Sequence, residues 1–308
     1  MMLSAAIVAT MVIGNGAQSL ARFEYSQVHM GVRVVLTFYG ADRNVAEAAA
    51  TEAFARFADL EAIMSDYRAD SELMRLCSHA GRGPRPISRD LHAVLQRSVE
   101  LAERSHGAFD VTCGPIVRLW REARKTRKLP DPGQMDRARQ LVGRHLLAVS
   151  TGSADLRKPG MQLDLGGIAK GYACDQAIDV LAKSGVSRAM AEAGGDLVVS
   201  GPPPGKLGWR ILADGEVTWL KNAAVSTSGD VSQFVVIRGR RYAHIVDPRT
   251  GVGLTNRKQV TVLARDGITS DSLATALCVL ADSEGEKLAS VYGARIWASG
   301  RIRGNLRK

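Results

Sequence analysis

The 308-residue sequence predicts an α+β fold, in which antiparallel sheets pack against helices in a single unit. Segments with helical spacing of apolar residues concentrate in the first two thirds of the chain, whereas strand-like segments dominate from residue 209 onward. The late segments, such as 234–237, are short and antiparallel in character, which favours α+β over a doubly wound sheet. The chain has no internal repeat, and 45% apolar residues are ample for a core.

Helices are predicted where apolar residues recur every three or four positions. Gly107 and Gly185 follow two of these segments, and glycine is common just past a helix end. The predicted helices are Val45–Met64, a short one from Ser71, Asp90–His106, Pro115–Lys128, Gln134–Val142, Ala169–Ser184 and Ser272–Leu280.

Strands are predicted where β-branched and apolar residues alternate or form short runs between turn residues. The region between Trp209 and Val246 is strand-rich as a whole. The individual strands are Val32–Tyr39, Met161–Leu165, Leu197–Ser200, Val260–Ala264 and Ile296–Ala298.

The N-terminus carries an apolar run, Leu3–Gly14, that is too short to span a bilayer, which needs about 20 apolar residues. Its length and small residues are typical of the core of a secretory signal peptide, although no Lys or Arg precedes it. We therefore expect residues 1–21 to be a signal peptide, residues 22–308 to form the folded domain, and the protein to be exported to the periplasm. The alternative is a buried first strand or helix.

The formal net charge of +10 raises the possibility of nucleic-acid binding. The basic residues are spread along the chain, however, aromatic residues make up only 5%, and no RNA-binding or zinc-finger motif occurs. No nucleic-acid partner is therefore expected. The densest basic run, Arg118–Lys128, is predicted to be the exposed face of a helix, and Arg301–Lys308 a solvated tail.

The most informative segment is Leu163–Ala173, where an acid, a Gly-Gly turn and a helix start follow one another. Backbone N–H groups at a helix N-terminus suit a phosphate, and glycine lets the backbone approach a ligand closely. The acid Asp164 would need a sugar hydroxyl, a ring or a metal as its partner. The segment suggests a nucleotide-like ligand and a cation, although an ordinary strand–turn–helix corner would look the same.

Asp271 and Thr275 lie four residues apart at the start of a predicted helix and therefore share one face. A carboxylate and a hydroxyl in this arrangement can both reach one hard cation such as Mg²⁺. The alternative is helix capping by Ser270 or Asp271, with Thr275 merely packed.

Three further segments contain groups capable of chemistry. His244 is predicted inside a strand and could act as a general base, or be a strand histidine with satisfied hydrogen bonds. Phe109 offers an aromatic face and Asp110 an acceptor. Thr227–Asp230 is predicted to be a polar turn between strands.

The order of these segments closely resembles the ApbE family of magnesium-dependent FAD:protein FMN transferases. The blocks that carry the resemblance are Met64–Leu73, Gly107–Thr112, Leu163–Ala173, Ala193–Asp196, Ser226–Asp230, His244–Gly251 and Asp271–Leu277. The resemblance implies a single T-fold-like α+β unit, usually exported, that splits the pyrophosphate of FAD. FMN would pass to a Ser or Thr hydroxyl of a target flavoprotein, and AMP would leave.

The resemblance also implies roles for individual residues. The Mg²⁺ ligands would be the Gly167 carbonyl, Asp271 and Thr275. The catalytic base would be His244 or a nearby acid such as Asp230, with Ser228 lining the same cleft. The FAD contacts would be Met30, Tyr67, Ala108, Phe109, Asp110, Asp164, Lys170 and Ile245.

The sequence leaves alternatives open. An FAD pyrophosphatase, with water as the acceptor, would use the same site. A flavin-binding protein without turnover is disfavoured by the intact Asp271 and Thr275 pair. Val32 and Gly253 stand where the family often has Thr and Pro, respectively. The expected partners are FAD and a flavoprotein that accepts the flavin, with a possible location at the periphery of the inner membrane.

Overall fold

The computed structural model describes residues 20–213, 215–229, 233–298 and 301–303. The strands are β1 Ala21–His29, β2 Val32–Gly40, β3 Arg85–Pro86, β4 Leu147–Ser150, β5 Ser153–Leu156, β6 Ala189–Ala193, β7 Asp196–Val199, β8 Trp209–Ala213, β9 Glu216–Leu220, β10 Ala223–Gly229, β11 Phe234–Ile237, β12 Arg240–Ala243, β13 Val246–Asp247, β14 Val252–Gly253, β15 Gln259–Ala264, β16 Arg295–Ala298 and β17 Arg301–Arg303. The helices are α1 Arg43–Met64, α2 Glu72–Ser78, α3 Arg89–Arg104, α4 Gly114–Thr126, α5 Pro132–Arg139, α6 Ala169–Lys183, α7 Gly267–Val279 and α8 Asp282–Val291.

The centre of the fold is an antiparallel sheet, which within the described residues has the strand order β1-β2-β6-β7-β10-β15-β16-β17. Its strands pair in register, so alternate residues of each strand point to opposite faces. Val198, Ala224 and Val262 point to one face and join the main core beneath the helices. Their chain neighbours Val199 and Val225 point to the other face.

Helices α1, α6 and α7 cover the first face of the sheet. Helix α1 begins where the Asp42 side chain accepts a hydrogen bond from the Val45 amide at 2.9 Å. Its buried side combines alanines with Phe54 and Phe57, which lets the long helix lie close to the sheet. Helices α6 and α7 also pack against each other, at Gly171 and Gly267, and this contact positions the site described below.

Two β-hairpins complete the core. The β8–β9 hairpin covers the second face of the sheet, where Trp209, Ile211 and Leu220 pack against Val199 and Val225. The β11–β12 hairpin packs instead on α4, through Val235, Ile237 and Tyr242 against Ile116 and Trp120. Strands β3, β5 and β4 form a separate small sheet, in that order.

The predicted strand Met161–Leu165 is wrong, because this segment has no regular secondary structure. Met161, Leu163 and Leu165 are buried, so their alternation reports burial and not strand pairing. The backbone groups find other partners: the Asp164 amide donates to the Val111 carbonyl at 2.8 Å, and the Leu163 amide to Cys77 Sγ at 3.4 Å.

Two other local predictions need correction. Thr227–Gly229 is not a turn but the end of β10, where Thr227 pairs with Thr261 of β15. Helix α7 begins at Gly267, five residues before the predicted start, because the Asp266 side chain caps it by accepting from the Thr269 amide. Asp271 therefore lies inside the helix and does not cap it.

The N-terminal prediction has no structural test. Residues 1–19 lie outside the described residues, and β1 begins at Ala21, the last residue of the predicted signal peptide. Among the described helices, none is long and apolar enough to cross a membrane.

Candidate active site

Lys170 lies between two buried carboxylates at the start of α6. Its Nζ is 2.9 Å from Asp196 Oδ2 on β7 and 3.8 Å from Asp271 Oδ2 on α7. The same Asp271 oxygen accepts a hydrogen bond from the Gly171 amide at 3.0 Å. Lys170 also donates to the Gly166 carbonyl at 3.2 Å, so this one ammonium group joins the glycine turn to both acids.

The charged groups of this cluster shift one another's pKa values. Asp271 is only 2% exposed, and burial together with the negative charge of Asp196 raises the pKa of its carboxyl well above the usual range. Burial opposes the charge of Lys170, but Asp271 and Asp196 outweigh it and raise the pKa of the ammonium. When both carboxyls are ionised they place two negative charges beside one ammonium, so a cation bound here would favour the ionised form of Asp271.

Gly167 and Thr275 complete this corner of the site. Thr275 follows Asp271 by one turn of α7, and its Oγ1 is 3.3 Å from Ser228 Oγ on β10. A Cβ atom on Gly167 would lie 2.8 Å from Thr275 Oγ1, so the glycine allows its backbone to approach the hydroxyl. The three predicted metal ligands are therefore neighbours, and α6 and α7 bring them together across about a hundred residues of sequence.

The donor set of this corner suits a hard cation, because it offers a carboxylate, a hydroxyl and backbone oxygen. Within the described part of the chain, no group of three His, Cys, Asp or Glu side chains could hold a metal ion. The corner thus lacks a closed cage of protein ligands. It matches the way Mg²⁺ binds with few protein ligands and completes its shell with water and phosphate.

The Asp164 carboxylate has its partners within the protein, whereas the sequence suggests a ligand or a metal as its partner. One carboxylate oxygen accepts from Arg121 of α4 at 2.7 Å, and the other accepts from the Gly166 amide at 2.8 Å. Arg121 also pairs with Asp66, and its guanidinium lies 4.4 Å from the centroid of the Tyr67 ring. The Tyr67 side chain is 78% exposed, so it can present its ring to a ligand above this network.

Ala108, Phe109 and Asp110 are buried in the segment between α3 and the following 3₁₀ turn. Asp110 Oδ1 accepts from the Thr112 amide at 2.9 Å and from its hydroxyl at 2.6 Å, which caps a short 3₁₀ turn. Burial raises the pKa of the Asp110 carboxyl.

A cleft of about 780 Å³ opens beside this turn, lined by Gly107, Asp110, Arg139, Arg144 and Arg249 among others. Asp110 is the predicted FAD residue in its lining. Lys170, Asp271 and Thr275 do not line this cleft.

His244 lies in a bend between β12 and β13, not inside a strand as predicted. Its Nδ1 is 3.1 Å from the carbonyl oxygen of Gln233, and its backbone amide donates to the same oxygen at 3.0 Å. Because a carbonyl only accepts hydrogen bonds, Nδ1 carries the ring proton and Nε2 keeps a lone pair. Burial, with the nearby charges of Arg124 and Lys170, lowers the pKa of His244, so the ring is neutral at pH 7.

The remaining predicted residues lie in different settings. Met30 occupies the β1–β2 turn with a positive φ of 51°, followed by Gly31 at 73°, and packs against the main core. Ile245 is buried, and its carbonyl accepts from the Leu254 amide at 2.9 Å. Asp230 lies outside the described residues, so its catalytic role stays a prediction.

Sequence reasoning missed Asp196 and Arg121 as site residues. Asp196 is 3% exposed and directly follows the Gly194-Gly195 turn between β6 and β7. An acid placed immediately after two glycines was the available signal. Arg121 fell within the basic run that was predicted to be a solvated helix face, and only the fold shows that it turns inward to Asp66 and Asp164.

Comparison with known proteins places this geometry in a family. A model of the ApbE family matches residues 30–296. An FAD:protein FMN transferase of Vibrio cholerae is 33% identical over 238 residues, covering 73% of this chain and 71% of the relative. One from Klebsiella pneumoniae is 33% identical over 277 residues, covering 85% and 84%.

Solved structures agree with the fold. The flavin transferase ApbE from Vibrio cholerae superposes with a TM-score of 0.80 at 30% identity, covering 90% of this chain and 93% of the other. The flavinyl transferase ApbE of Pseudomonas stutzeri gives 0.81 at 29% identity, covering 93% of both chains. The predicted α+β class is therefore confirmed, and the chain belongs to the ApbE family.

Proposed function

We propose that this chain transfers FMN from FAD to a Ser or Thr hydroxyl of a target flavoprotein and releases AMP, with Mg²⁺ as its cofactor. The observation that carries the proposal is the cluster in which Lys170 joins Asp196 and Asp271 beside Thr275 and Gly167. Relatives at 33% identity that are named FAD:protein FMN transferases support the same activity.

The residues present fit a bound Mg²⁺ ion. Asp271 and Thr275 would hold it, together with the carbonyl of Gly167, whose backbone lies beside Thr275. When bound, the ion would neutralise charge on the pyrophosphate oxygens and so stabilise the departing AMP. Lys170, which is held between Asp196 and Asp271, adds a fixed positive charge that would stabilise the transferred phosphoryl group.

His244 supplies the base in this proposal. Its unprotonated Nε2 removes the proton from the acceptor hydroxyl, whose oxygen then forms a bond to the phosphorus of the FMN half. The bond between that phosphorus and the oxygen bridging to the AMP half breaks, and AMP leaves with the electron pair. A carboxylate such as Asp230 remains the alternative base.

We also propose that the protein is exported, as a periplasmic protein that could work at the periphery of the inner membrane. The apolar run Leu3–Gly14 supports this proposal. N-terminal sequencing of protein recovered from a periplasmic fraction tests it, with a start near Arg22 expected. An intact Met1 on all exported material would contradict it.

The activity is tested by incubating the purified chain with FAD, Mg²⁺ and an extract of the source cells. The expected result is covalent flavin fluorescence on a discrete protein band, release of AMP, and a flavinylated Ser or Thr found by mass spectrometry. Lys170→Ala should abolish labelling, while Lys258→Ala, which removes a surface ion pair with Asp282, should not. FMN and AMP without labelling would instead indicate an FAD pyrophosphatase, and no AMP release would refute both activities.

A further inference from the structure

The β11–β12 hairpin, Phe234–Ala243, has one packed and one exposed face. Val235, Ile237 and Tyr242 pack against α4, and Tyr242 lies 4.9 Å from Trp120 between ring centroids. On the opposite side, Phe234 is 41% and Val236 50% exposed. Two apolar side chains are thus exposed to solvent on a hairpin whose other face packs against α4. We call residues Phe234–Ala243 the basic hairpin, because its turn carries several arginines.

The basic hairpin has a strong positive charge. Arg238, Arg240 and Arg241 lie at its turn, and residues 233–246 contain no Asp or Glu. Among the described residues, no carboxylate oxygen lies within 4.0 Å of the charged nitrogens of Arg238 or Arg240. The Arg241 guanidinium stacks 3.4 Å from the Phe234 ring centroid, so apolar and basic groups form one surface.

The open end of the basic hairpin adjoins the candidate base. Gln233 directly precedes β11, and its carbonyl accepts hydrogen bonds from both the backbone and the ring of His244, which directly follows β12. Arg124, near the end of α4, is close enough to lower the pKa of His244. Lys170 of the charged cluster also acts on that pKa, so the open end of the basic hairpin lies near this cluster.

The β8–β9 hairpin provides a contrast within the same molecule. It also exposes apolar residues, with Leu212 at 69% and Trp219 at 52%, and carries Lys206 and Arg210 nearby. It covers the second face of the central sheet, whereas Ser228, Thr275 and Asp271 lie on the helix side. Exposed apolar side chains alone therefore do not mark the approach to the site.

We propose that the basic hairpin is the docking surface for the acceptor protein, and that it binds an acidic segment carrying an apolar side chain next to the hydroxyl to be modified. The inference rests on the proposed function, because it assigns the partner of the same site. The apolar side chain would pack on Phe234 and Val236. Arginines would attract the acidic residues and steer the segment so that its hydroxyl reaches His244.

A charge reversal tests the proposal. In Arg238→Glu/Arg240→Glu, the KM for the labelled acceptor should rise about tenfold or more, while kcat and the Kd for FAD stay within about twofold of wild type. The matched control, Lys206→Glu in the loop before β8 combined with Arg210→Glu on β8, should leave all three values unchanged. An unchanged KM in the first variant, or an equal rise in the control, would overturn the proposal.

A binding measurement separates this proposal from the proposed activity. Short fluorescein-labelled peptides with one Thr, flanked by Asp and Leu or by Lys and Leu, are titrated into the wild-type protein and both variants. The acidic peptide should bind wild type more tightly than the basic one, and the hairpin reversal should invert this order. If wild type binds the acidic and the basic peptide equally well, the docking surface is refuted even if FMN transfer occurs. If wild type prefers the acidic peptide but neither FMN transfer nor AMP release is detected, only the proposed activity is refuted. Binding of the hairpin only to vesicles containing phosphatidylglycerol, with no peptide preference, would point to a membrane and overturn the proposal.

Discussion

Gly171 and Gly267 bring their helices into backbone contact: a Cβ atom on Gly171 would lie 2.0 Å from the carbonyl oxygen of Gly267. This contact places the start of α6 against the first turns of α7. The Gly171 amide can then donate to Asp271, and Lys170 can reach both Asp271 and Asp196. The distance between two helix backbones thus determines the geometry of the charged cluster.

Gly171→Ala should destabilise the protein by about 3 kcal/mol or more, because the added methyl meets backbone atoms that cannot move away. Gly133→Ala in α5 is the control, since only side-chain atoms of Asp131 and Arg137 lie near its Cβ position. Urea denaturation followed by circular dichroism measures both. Equal stability of the two variants would mean that α6 and α7 are not in this contact.

Thr275→Val should raise the Mg²⁺ concentration needed for half-maximal activity about tenfold or more, because it removes one oxygen donor and keeps the side-chain volume. The control is Thr261→Val, which removes a hydroxyl paired with Thr227 at 2.9 Å on the other face of the sheet. Mg²⁺ titrations after EDTA treatment provide the measurement. A Thr275 variant with an unaltered Mg²⁺ requirement would exclude this threonine as a ligand.

His244→Ala should lower kcat by about 10²- to 10⁴-fold, the usual contribution of a general base. Because burial lowers the pKa of His244, the wild-type rate should fall on the acid side with a midpoint below the ordinary histidine value of about 6.5, as the ring becomes protonated. His79→Ala, at a half-buried position following α2, should behave as wild type. If the His244→Ala variant keeps both its rate and its acid limb, a carboxylate is the base.

Asp175 should make stability depend on pH. Its carboxylate accepts from the Gly267 and Ile268 amides at 2.6 and 2.9 Å, yet burial dominates and raises its pKa to about 7. The folded state therefore holds a proton that the unfolded state releases near pH 4, so this group's contribution falls as the pH rises from about 4 to about 7. Asp175→Asn should flatten that part of the curve of unfolding free energy against pH. An identical curve for the variant would disprove the assignment.

The local part of the site was predictable from sequence, and the long-range part was not. Asp271 and Thr275 share a helix face because they are four residues apart, and the glycine turn leads into α6 as predicted. The ion pairs of Asp164 with Arg121 and of Lys170 with Asp196 join residues 43 and 26 positions apart, and no periodicity encodes such pairs. They follow only once the sheet and helices have assembled.

The errors have physical causes as well. Met161–Leu165 alternates like a strand because three of its side chains enter the core, although its backbone pairs with a 3₁₀ turn and a cysteine. His244 lies in a bend after β12, where its amide and its ring both bind the Gln233 carbonyl, a partner that strand alternation does not predict. The sequence pattern predicts which side chains are buried, but it does not predict which groups their backbone hydrogen-bonds to.

Strand β10 has a consequence for how the protein matures. Ser226 and Ser228 point toward α7, where they contact Ser270 and Thr275, while Val225 points into the apolar layer beneath the β8–β9 hairpin. A slip of one residue in pairing would turn every side chain to the opposite face, moving the valine into the catalytic cluster and the serines into the apolar layer. Activity therefore requires the correct pairing register of β10, and a protein in which this strand has slipped by one residue would be inactive.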